Sequence, residues 1–224
     1  MSSTLASAAS ADTPVFEGVY GPYTITDQDR REVLAYRLAL TGVALAQLAL
    51  ALQWQQWGST GLWPWVVVMA VGLGLALRWI HIYLRPLHRA LQLFWLAGCV
   101  GFVGLAAWLT PAGMVSGAFG RPLALLAIGP FFAALTGIGF KEFFCFRRPE
   151  AIGVTLLLPL ALLGRLTGLL SQPVTLWLLT LQAALLLVLC LRKFPMDAAA
   201  DVGDKSVFAH LEQQRRGQAP GALQ

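Results

Sequence analysis

Long apolar stretches separated by short polar segments dominate the pattern of side chains along the chain. Six of these stretches are about 17 to 25 residues long, which is the length that an α-helix needs to cross a bilayer. They lie at about 33–53, 62–84, 89–109, 122–143, 151–170 and 173–191. The pattern predicts an all-α fold, a polytopic transmembrane helical bundle of about six spans within residues 27–194.

Prolines mark the predicted helix ends. Three lie near predicted helix starts: Pro64, Pro122 and Pro173. Three others follow predicted helix ends: Pro86, Pro111 and Pro195. Pro130 and Pro159 instead fall inside spans four and five. Each removes a backbone donor there, so we expect a kink in both helices.

Positive charges are distributed unevenly over the polar segments. Fourteen of the sixteen lysines and arginines fall on one side of the predicted bundle, and only Arg121 and Arg165 fall on the other. Cytoplasmic loops are enriched in Lys and Arg, so this basic side is predicted to be cytoplasmic and to hold both termini. Loops at 85–89 and 141–150 belong to it, whereas loops at 54–61, 110–121 and 171–173 are expected on the opposite side.

The composition supports a membrane location. Hydrophobic residues make up 57% of the chain and charged residues 12%, which is more apolar side chain than one water-soluble core can bury. The lipid bilayer is therefore the expected partner. The net charge of +5 does not indicate nucleic acid, because the cations follow the topology. The three cysteines are far apart, so neither a disulfide framework nor a metal site is predicted.

The polar ends of the chain carry helix signals. Thr26, with Asp29 three residues later, predicts that the first helix begins near Asp27. Residues 1–26 are predicted to be a flexible segment. Residues 195–224 are predicted to form a cytoplasmic tail with a short amphipathic helix capped by Asp204 or Ser206, which either lies on lipid headgroups or docks on the 85–89 loop.

Small residues predict how the spans pack. Span three carries Gly98, Gly101 and Gly104, and span four carries Ala133 and Gly137. Small residues at this spacing let two helix backbones approach closely. We therefore expect spans three and four to pack together at the centre of the bundle.

The first candidate functional group lies at the cytoplasmic end of span two and the start of span three. It consists of Arg78, His81, Tyr83, Arg85, His88 and Arg89. Histidines at this depth can bind a haem or chlorin, but Pro86 separates His81 from His88 and no other span offers a facing histidine. Interfacial packing and contact with phosphate headgroups is the simpler interpretation. A tetrapyrrole or carotenoid bound through His81 or His88 stays open as an alternative; otherwise no cofactor is expected.

The second candidate group follows span four. Lys141 and Glu142 lie at the membrane edge, where we expect an ion pair with another span or a place on a solute pathway. Cys145 has Arg147 and Arg148 close by in sequence. An exposed thiol there would be reactive or lipidated, and a buried one would act as a small apolar side chain.

Other polar residues fall within the predicted spans: Arg37, Gln47, Gln92, Arg165 and Gln182. The two arginines are close enough to helix ends to extend toward the membrane surface. The glutamines are expected to form hydrogen bonds between helices. No hydrolase, nucleotide-binding or haem-attachment motif occurs, and no carboxylate lies near the midpoint of a span. No catalytic residue is therefore predicted, and an enzyme is not favoured.

Four stretches carry a resemblance to a known family: GVYGPYTITDQDRREVLAYR, RWIHIYLRPLHRALQ, GIGFKEFFCFRRPEA and VGDKSVFAHL. From about Val19 to Leu211 the chain resembles an uncharacterised integral membrane protein family, a domain of unknown function, found in cyanobacteria and plant chloroplasts. The resemblance implies a multi-pass protein of the plasma or thylakoid membrane with a role near photosynthetic complexes. It identifies no catalytic residue.

Three functional hypotheses follow. The first is a non-enzymatic assembly or interaction partner of other membrane complexes, because the distinctive polar residues concentrate on the basic side. The second is a transporter or channel for a small solute, with Arg37, Arg165 and the kinked spans four and five along its path. The third and weaker hypothesis is pigment or haem binding.

Overall fold

The computed structural model describes residues 14–217, which form two strands and a series of helices. The strands are β1 (Val15–Gly18) and β2 (Gly21–Thr24). The helices are α1 (Asp27–Trp57), α2 (Trp63–Trp79), α3 (Arg85–Gly120), α4 (Leu125–Phe146), α5 (Pro149–Leu166), α6 (Gln172–Leu191), α7 (Ala199–Val202) and α8 (Lys205–Gly217), with a 3-10 turn at Pro122–Ala124 before α4. Among the described residues, 14–34 and 197–217 form a smaller compact unit, and Ala35–Met196 form a larger one.

The six helices α1 to α6 match the six predicted apolar stretches. Five of them are long and apolar enough to cross a membrane. The sixth, α2, has 17 residues and is therefore about 26 Å long, slightly less than a typical hydrocarbon core. The prediction of an all-α membrane bundle is confirmed.

Local sequence signals explain most of the helix starts. Prolines occupy the first turn of α2, α3, α5 and α6, where a missing backbone donor costs nothing. At the start of α1, the Asp29 N–H donates to Thr26 Oγ1 at 3.2 Å, and the Thr26 N–H donates to Asp29 Oδ2 at 2.7 Å. This reciprocal pair confirms that the first helix begins at Asp27.

Two predicted boundaries of span two and span five are wrong. Helix α2 ends at Trp79 rather than near residue 84, because Ile80 is extended and Leu84 is extended as the residue that precedes α3. His81 and Tyr83 therefore lie in a connecting segment and not on α2. Helix α5 ends at Leu166, because Gly168 adopts a φ of +77° that stops the helix.

The predicted loops at 85–89 and 110–121 are also wrong, since residues 85–89 form the first turn of α3. Thr110 has φ 69° and ψ 156° and interrupts the helix, but the chain resumes helical geometry at once and continues to Gly120. Pro111 explains the difference, because its fixed φ suits the first position of a new helical stretch. The proline divides α3 into two helical parts and does not end it.

Helices α3 and α4 pack closely, as the glycines predict. A Cβ atom at Gly98 would collide with Phe131, and one at Gly101 would collide with the Ala127 carbonyl. The prediction that both helices are central is wrong for α3. Only 17% of the residues in the most apolar stretch of α3 are buried, against 44% in that of α4. Helix α3 packs against α2 and α4, but its face away from α4 carries exposed apolar residues such as Val103.

The smaller unit contains a β-hairpin that the sequence pattern placed within a flexible segment. Strands β1 and β2 pair antiparallel around Val19 and Tyr20. Ile25, Val33 and Val202 form the apolar centre of this unit. In the predicted tail the structure has helix α8, which packs against the hairpin. Residues 1–13 of the predicted flexible segment, and residues 218–224 of the tail, lie outside the described residues.

Candidate functional site

A buried group of charged and aromatic side chains, which we name the charge cluster, consists of Tyr36, Lys141, Glu142 and Lys193. Helix α1 contributes the tyrosine, the last turns of α4 contribute Lys141 and Glu142, and the turn that follows α6 contributes Lys193. Glu142 continues the buried face of α4. The helix therefore directs this carboxylate inward.

The Glu142 carboxylate is bound by three side chains. Its Oε2 accepts from Lys193 Nζ at 2.6 Å, and its Oε1 accepts from the Tyr36 hydroxyl at 2.6 Å and from Lys141 Nζ at 3.3 Å. The Glu142 side chain is 0% exposed. A buried carboxylate is tolerated only when cations and hydrogen bonds replace the lost water, and all three neighbours supply that replacement.

Aromatic rings complete the surroundings of the two ammonium groups. Lys193 Nζ lies 4.8 Å from the centre of the Tyr36 ring and 4.7 Å from that of Phe146. Lys141 Nζ lies 5.7 Å and 5.8 Å from the same two rings. Cations within about 6 Å of a ring face are attracted to it. The rings therefore stabilise both lysines in a site with little access to water.

A second set of ionic contacts lies at the start of α5. Glu150 accepts from Arg192 Nη1 at 2.8 Å, and Arg148 Nη1 lies 3.7 Å from the same carboxylate oxygen. Arg148 Nη2 contacts the Met196 sulfur at 3.1 Å, and Arg37 Nη1 donates to the Met196 carbonyl at 2.9 Å. Together with the charge cluster, these contacts connect the ends of α1, α4, α5 and α6 on the basic side.

The first candidate group makes contacts of a different kind. The Nε2 atom of His88 lies 2.6 Å from the Leu77 carbonyl oxygen of α2, and the Gln92 side chain lies 3.3 Å from the same nitrogen. A ring nitrogen that faces a carbonyl carries the proton, so Nε2 is a donor here and not a metal ligand. Arg78 and Arg89 are exposed, and His81, Tyr83 and Arg85 are partly exposed. Among the described residues, no three His, Cys, Asp or Glu side chains come together as metal ligands.

The outer face at the end of α4 exposes the remaining candidate residues. Cys145 and Arg147 are exposed. Of the two alternatives for Cys145, the structure therefore supports the exposed thiol and not the buried one. Phe140 and Phe144 are exposed beside them, with ring centres 4.6 Å apart. Arg147 ends the helix in left-handed geometry, with φ 49° and its N–H donating to the Phe143 carbonyl at 2.7 Å. We name Phe140, Phe144, Cys145 and Arg147 the α4 patch.

Arg165 does not line an open path as the transporter hypothesis expects. Its Nη2 and Nε donate to the Phe119 carbonyl at 2.7 Å and 3.1 Å, which satisfies an acceptor in the last turn of α3. Pro130 and Pro159 do line a groove of about 470 Å³ between α4 and α5, but apolar side chains surround it. Gln47 donates a hydrogen bond to Gln182 between α1 and α6, as predicted for interhelical glutamines, whereas the prediction is wrong for Gln92, which contacts His88 on its own helix α3.

The sequence did not identify Tyr36, Glu150, Arg192 or Lys193 as site residues. A usable signal was present for Lys193, because Glu142 is the only carboxylate between Glu32 and Glu150. A single carboxylate at a membrane edge needs a cation from another helix end. The expected ion pair with another span is confirmed, and its partner is the lysine that follows α6.

The comparisons with known proteins identify the family. The family model described as "Uncharacterized integral membrane protein (DUF2301)" matches residues 75–210, which is more than half of the chain. The chain therefore belongs to this family of integral membrane proteins. No curated protein and no solved structure matches it. The matched region contains Lys141, Glu142 and Lys193 but not Tyr36.

Proposed function

We propose that this DUF2301 family member is a non-enzymatic interaction partner of other membrane complexes, and that its basic side binds them. The observation that carries the proposal is the α4 patch. It exposes two neighbouring phenylalanines whose ring planes are tilted by 50°, and Arg147 follows them at the helix end. Aromatic residues and arginine are enriched in the central contacts of protein interfaces, so this composition suits a docking surface.

The charge cluster gives the α4 patch a rigid support. Lys141 and Glu142 lie between Phe140 and Phe144 in sequence, on the inner face of the same helix turns. Their contacts with α1 and with the turn after α6 fix the end of α4. A surface that is already ordered loses little conformational entropy on binding, which favours recognition of a partner.

The resemblance of the chain to cyanobacterial and chloroplast proteins supports a more specific proposal. The membrane would be the plasma or thylakoid membrane of an oxygenic phototroph, and the partners would be photosynthetic complexes. In such a membrane the α4 patch would lie on the cytoplasmic side, because the arginines around it belong to the basic side.

Co-purification from gently solubilised membranes tests the proposal. The tagged wild-type protein is expected to bring a defined complex with it, and Phe144→Ser is expected to lose that complex. Leu156→Ser in α5 is a matched control, because Leu156 is exposed to a similar degree, 62% against 65% for Phe144. A wild-type protein that elutes alone contradicts the proposal. Equal retention by Phe144→Ser and Leu156→Ser excludes the α4 patch as the binding surface.

A further inference from the structure

The turn of the β-hairpin has an unusual sequence. Val19 and Tyr20, which we name the hairpin tip, connect the paired residues Gly18 and Gly21. Two-residue hairpin turns strongly favour Asn-Gly or similar pairs, because their backbone needs positive φ angles. Val19 and Tyr20 have ordinary negative φ angles, and Gly21 alone supplies a φ of +129°. The sequence therefore keeps two apolar residues where local preference disfavours them.

Side chains from the other end of the chain hold this turn. The Val19 N–H donates to Asp204 Oδ2 at 2.7 Å, and the Tyr20 N–H donates to Ser206 Oγ at 3.0 Å. The Tyr20 ring stacks on the His210 ring, with ring centres 3.9 Å apart and planes only 4° apart. The tip is therefore held in one arrangement by contacts at its backbone and at one of its two side chains.

Gly18 allows this arrangement. A Cβ atom at Gly18 would collide with the Asp204 carboxylate and with the Ser206 hydroxyl. Only glycine lets the start of α8 approach the turn closely enough for both hydrogen bonds to form.

The held tip exposes an apolar side chain. Val19 is 80% exposed. Tyr20 packs on His210, but the turn places the Val19 side chain where local preference disfavours it and where it gains little packing of its own. Positions that break a local rule in this way are expected at functional sites. An apolar side chain presented on an ordered turn can enter a pocket without a large loss of conformational entropy.

Charges around the tip favour a protein pocket over a lipid surface. Glu17 is exposed one residue before Gly18, and Asp204 is directly at the tip. The hydrogen bonds from Ser206 and from the Val19 N–H hold the pKa of Asp204 below its ordinary value, so it is ionised at neutral pH. The cytoplasmic membrane surface is itself negative and repels carboxylates.

We infer that the hairpin tip is a docking element that inserts Val19 into an apolar pocket with a basic rim on a partner protein. The inference rests on the proposed function, because it assumes that a partner complex exists. It assigns to the smaller unit a contact made by residues other than those of the α4 patch.

Comparison of two valines on the same hairpin tests the inference. Val19→Asp is expected to reduce the recovered partner about tenfold or more, since a buried valine contributes on this scale. Val15→Asp is the matched control, because Val15 is 64% exposed on β1 and lies at the opposite end of the hairpin from the tip. The control is expected to recover the partner like wild type. Thermal unfolding of both variants must match wild type, which confirms that the hairpin remains folded.

The outcomes separate this inference from the proposed function. If wild type recovers no partner, the proposed function fails. If wild type recovers a partner and Val19→Asp recovers as much as Val15→Asp, only the inference is overturned. A photoreactive amino acid at position 19 supplies a second readout, for which a cross-link to a subunit of the recovered complex is expected. Cross-links to lipid alone overturn the inference in favour of a membrane contact.

Discussion

Replacement of Glu142 by glutamine is the most direct test of the charge cluster. Glutamine has nearly the same shape and still accepts a hydrogen bond from Tyr36, so the change removes mainly the negative charge. Lys193 and Lys141 then lose the carboxylate that lies 2.6 Å and 3.3 Å from their Nζ atoms. The expected result is a large loss of stability, because both ammonium groups stay buried beside a neutral side chain.

The structure sets the size of this loss. Breaking a buried ion pair by removing one partner typically costs about 3–5 kcal/mol, whereas an exposed pair contributes about 0–1 kcal/mol. Glu142 is 0% exposed and Lys193 is 1% exposed, so the larger figure applies. In a protein of this size each kcal/mol lowers the melting temperature by about 2–4 °C. We expect Glu142→Gln to melt roughly 10 °C below wild type by this relation.

Intrinsic fluorescence of the detergent-solubilised protein is a suitable assay, since the chain contains eight tryptophans. Glu212→Gln is the control, because Glu212 pairs with Arg216 at 3.7 Å on the surface of α8 and its loss should shift the midpoint very little. The double variant Glu142→Gln with Lys193→Met should be less destabilised than the sum of its single variants. Midpoints for Glu142→Gln and Glu212→Gln that coincide would refute the reasoning, as would simple additivity in the double variant.

Three further outcomes are expected. Gly101→Ala should destabilise the protein by about 1–3 kcal/mol in thermal unfolding, because its new methyl group meets a backbone carbonyl. Gly104→Ala should be neutral, because its Cβ has open space. Equal effects of the two variants would contradict the close packing of α3 and α4. Arg165→Ala should cost about 1.5–3 kcal/mol by the same assay, since the Phe119 carbonyl loses a charged donor, and an unchanged midpoint would argue against that role. The Val19 amide resonance should titrate with Asp204 at a midpoint below the ordinary pKa of 3.8. The contribution of the ionised carboxylate to stability is therefore present above pH 3.8 and is lost as the pH falls through the lowered pKa. A midpoint above 3.8 would contradict the hydrogen bond.

Features encoded within a few neighbouring residues could be predicted from the sequence. Thr26 and Asp29 lie three positions apart, and their pairing fixed the start of α1 correctly. Proline positions and apolar stretches identified the six apolar helices for the same reason. The contact between α3 and α4 was predictable because glycines at regular spacing mark a helix face on which another backbone can lie.

Features that depend on distant residues could not be predicted in this way. Glu142 finds its partner at Lys193, 51 residues away, after two intervening helices. The hairpin is a stronger case, because Val19 and Tyr20 are not the residue pair that two-residue turns favour, and Asp204, 185 residues away, holds the turn. Residue propensities describe the cost of a backbone conformation without its tertiary contacts. At the Val19-Tyr20 turn the distant Asp204 side chain offsets that cost.

The position of the charge cluster bears on which hypothesis of function is stronger. A carboxylate on a solute pathway has to exchange its contacts during each transport cycle, and a buried carboxylate that gives up two lysines does so at a cost of several kcal/mol. Glu142 instead shares these lysines with the rings of Tyr36 and Phe146, which stabilise one arrangement of the ends of α1, α4 and α6. Such a site favours a fixed helix end over a moving gate. The same fixed end carries Phe144 on its exposed face, so the features that disfavour transport are those that suit the surface to binding a partner.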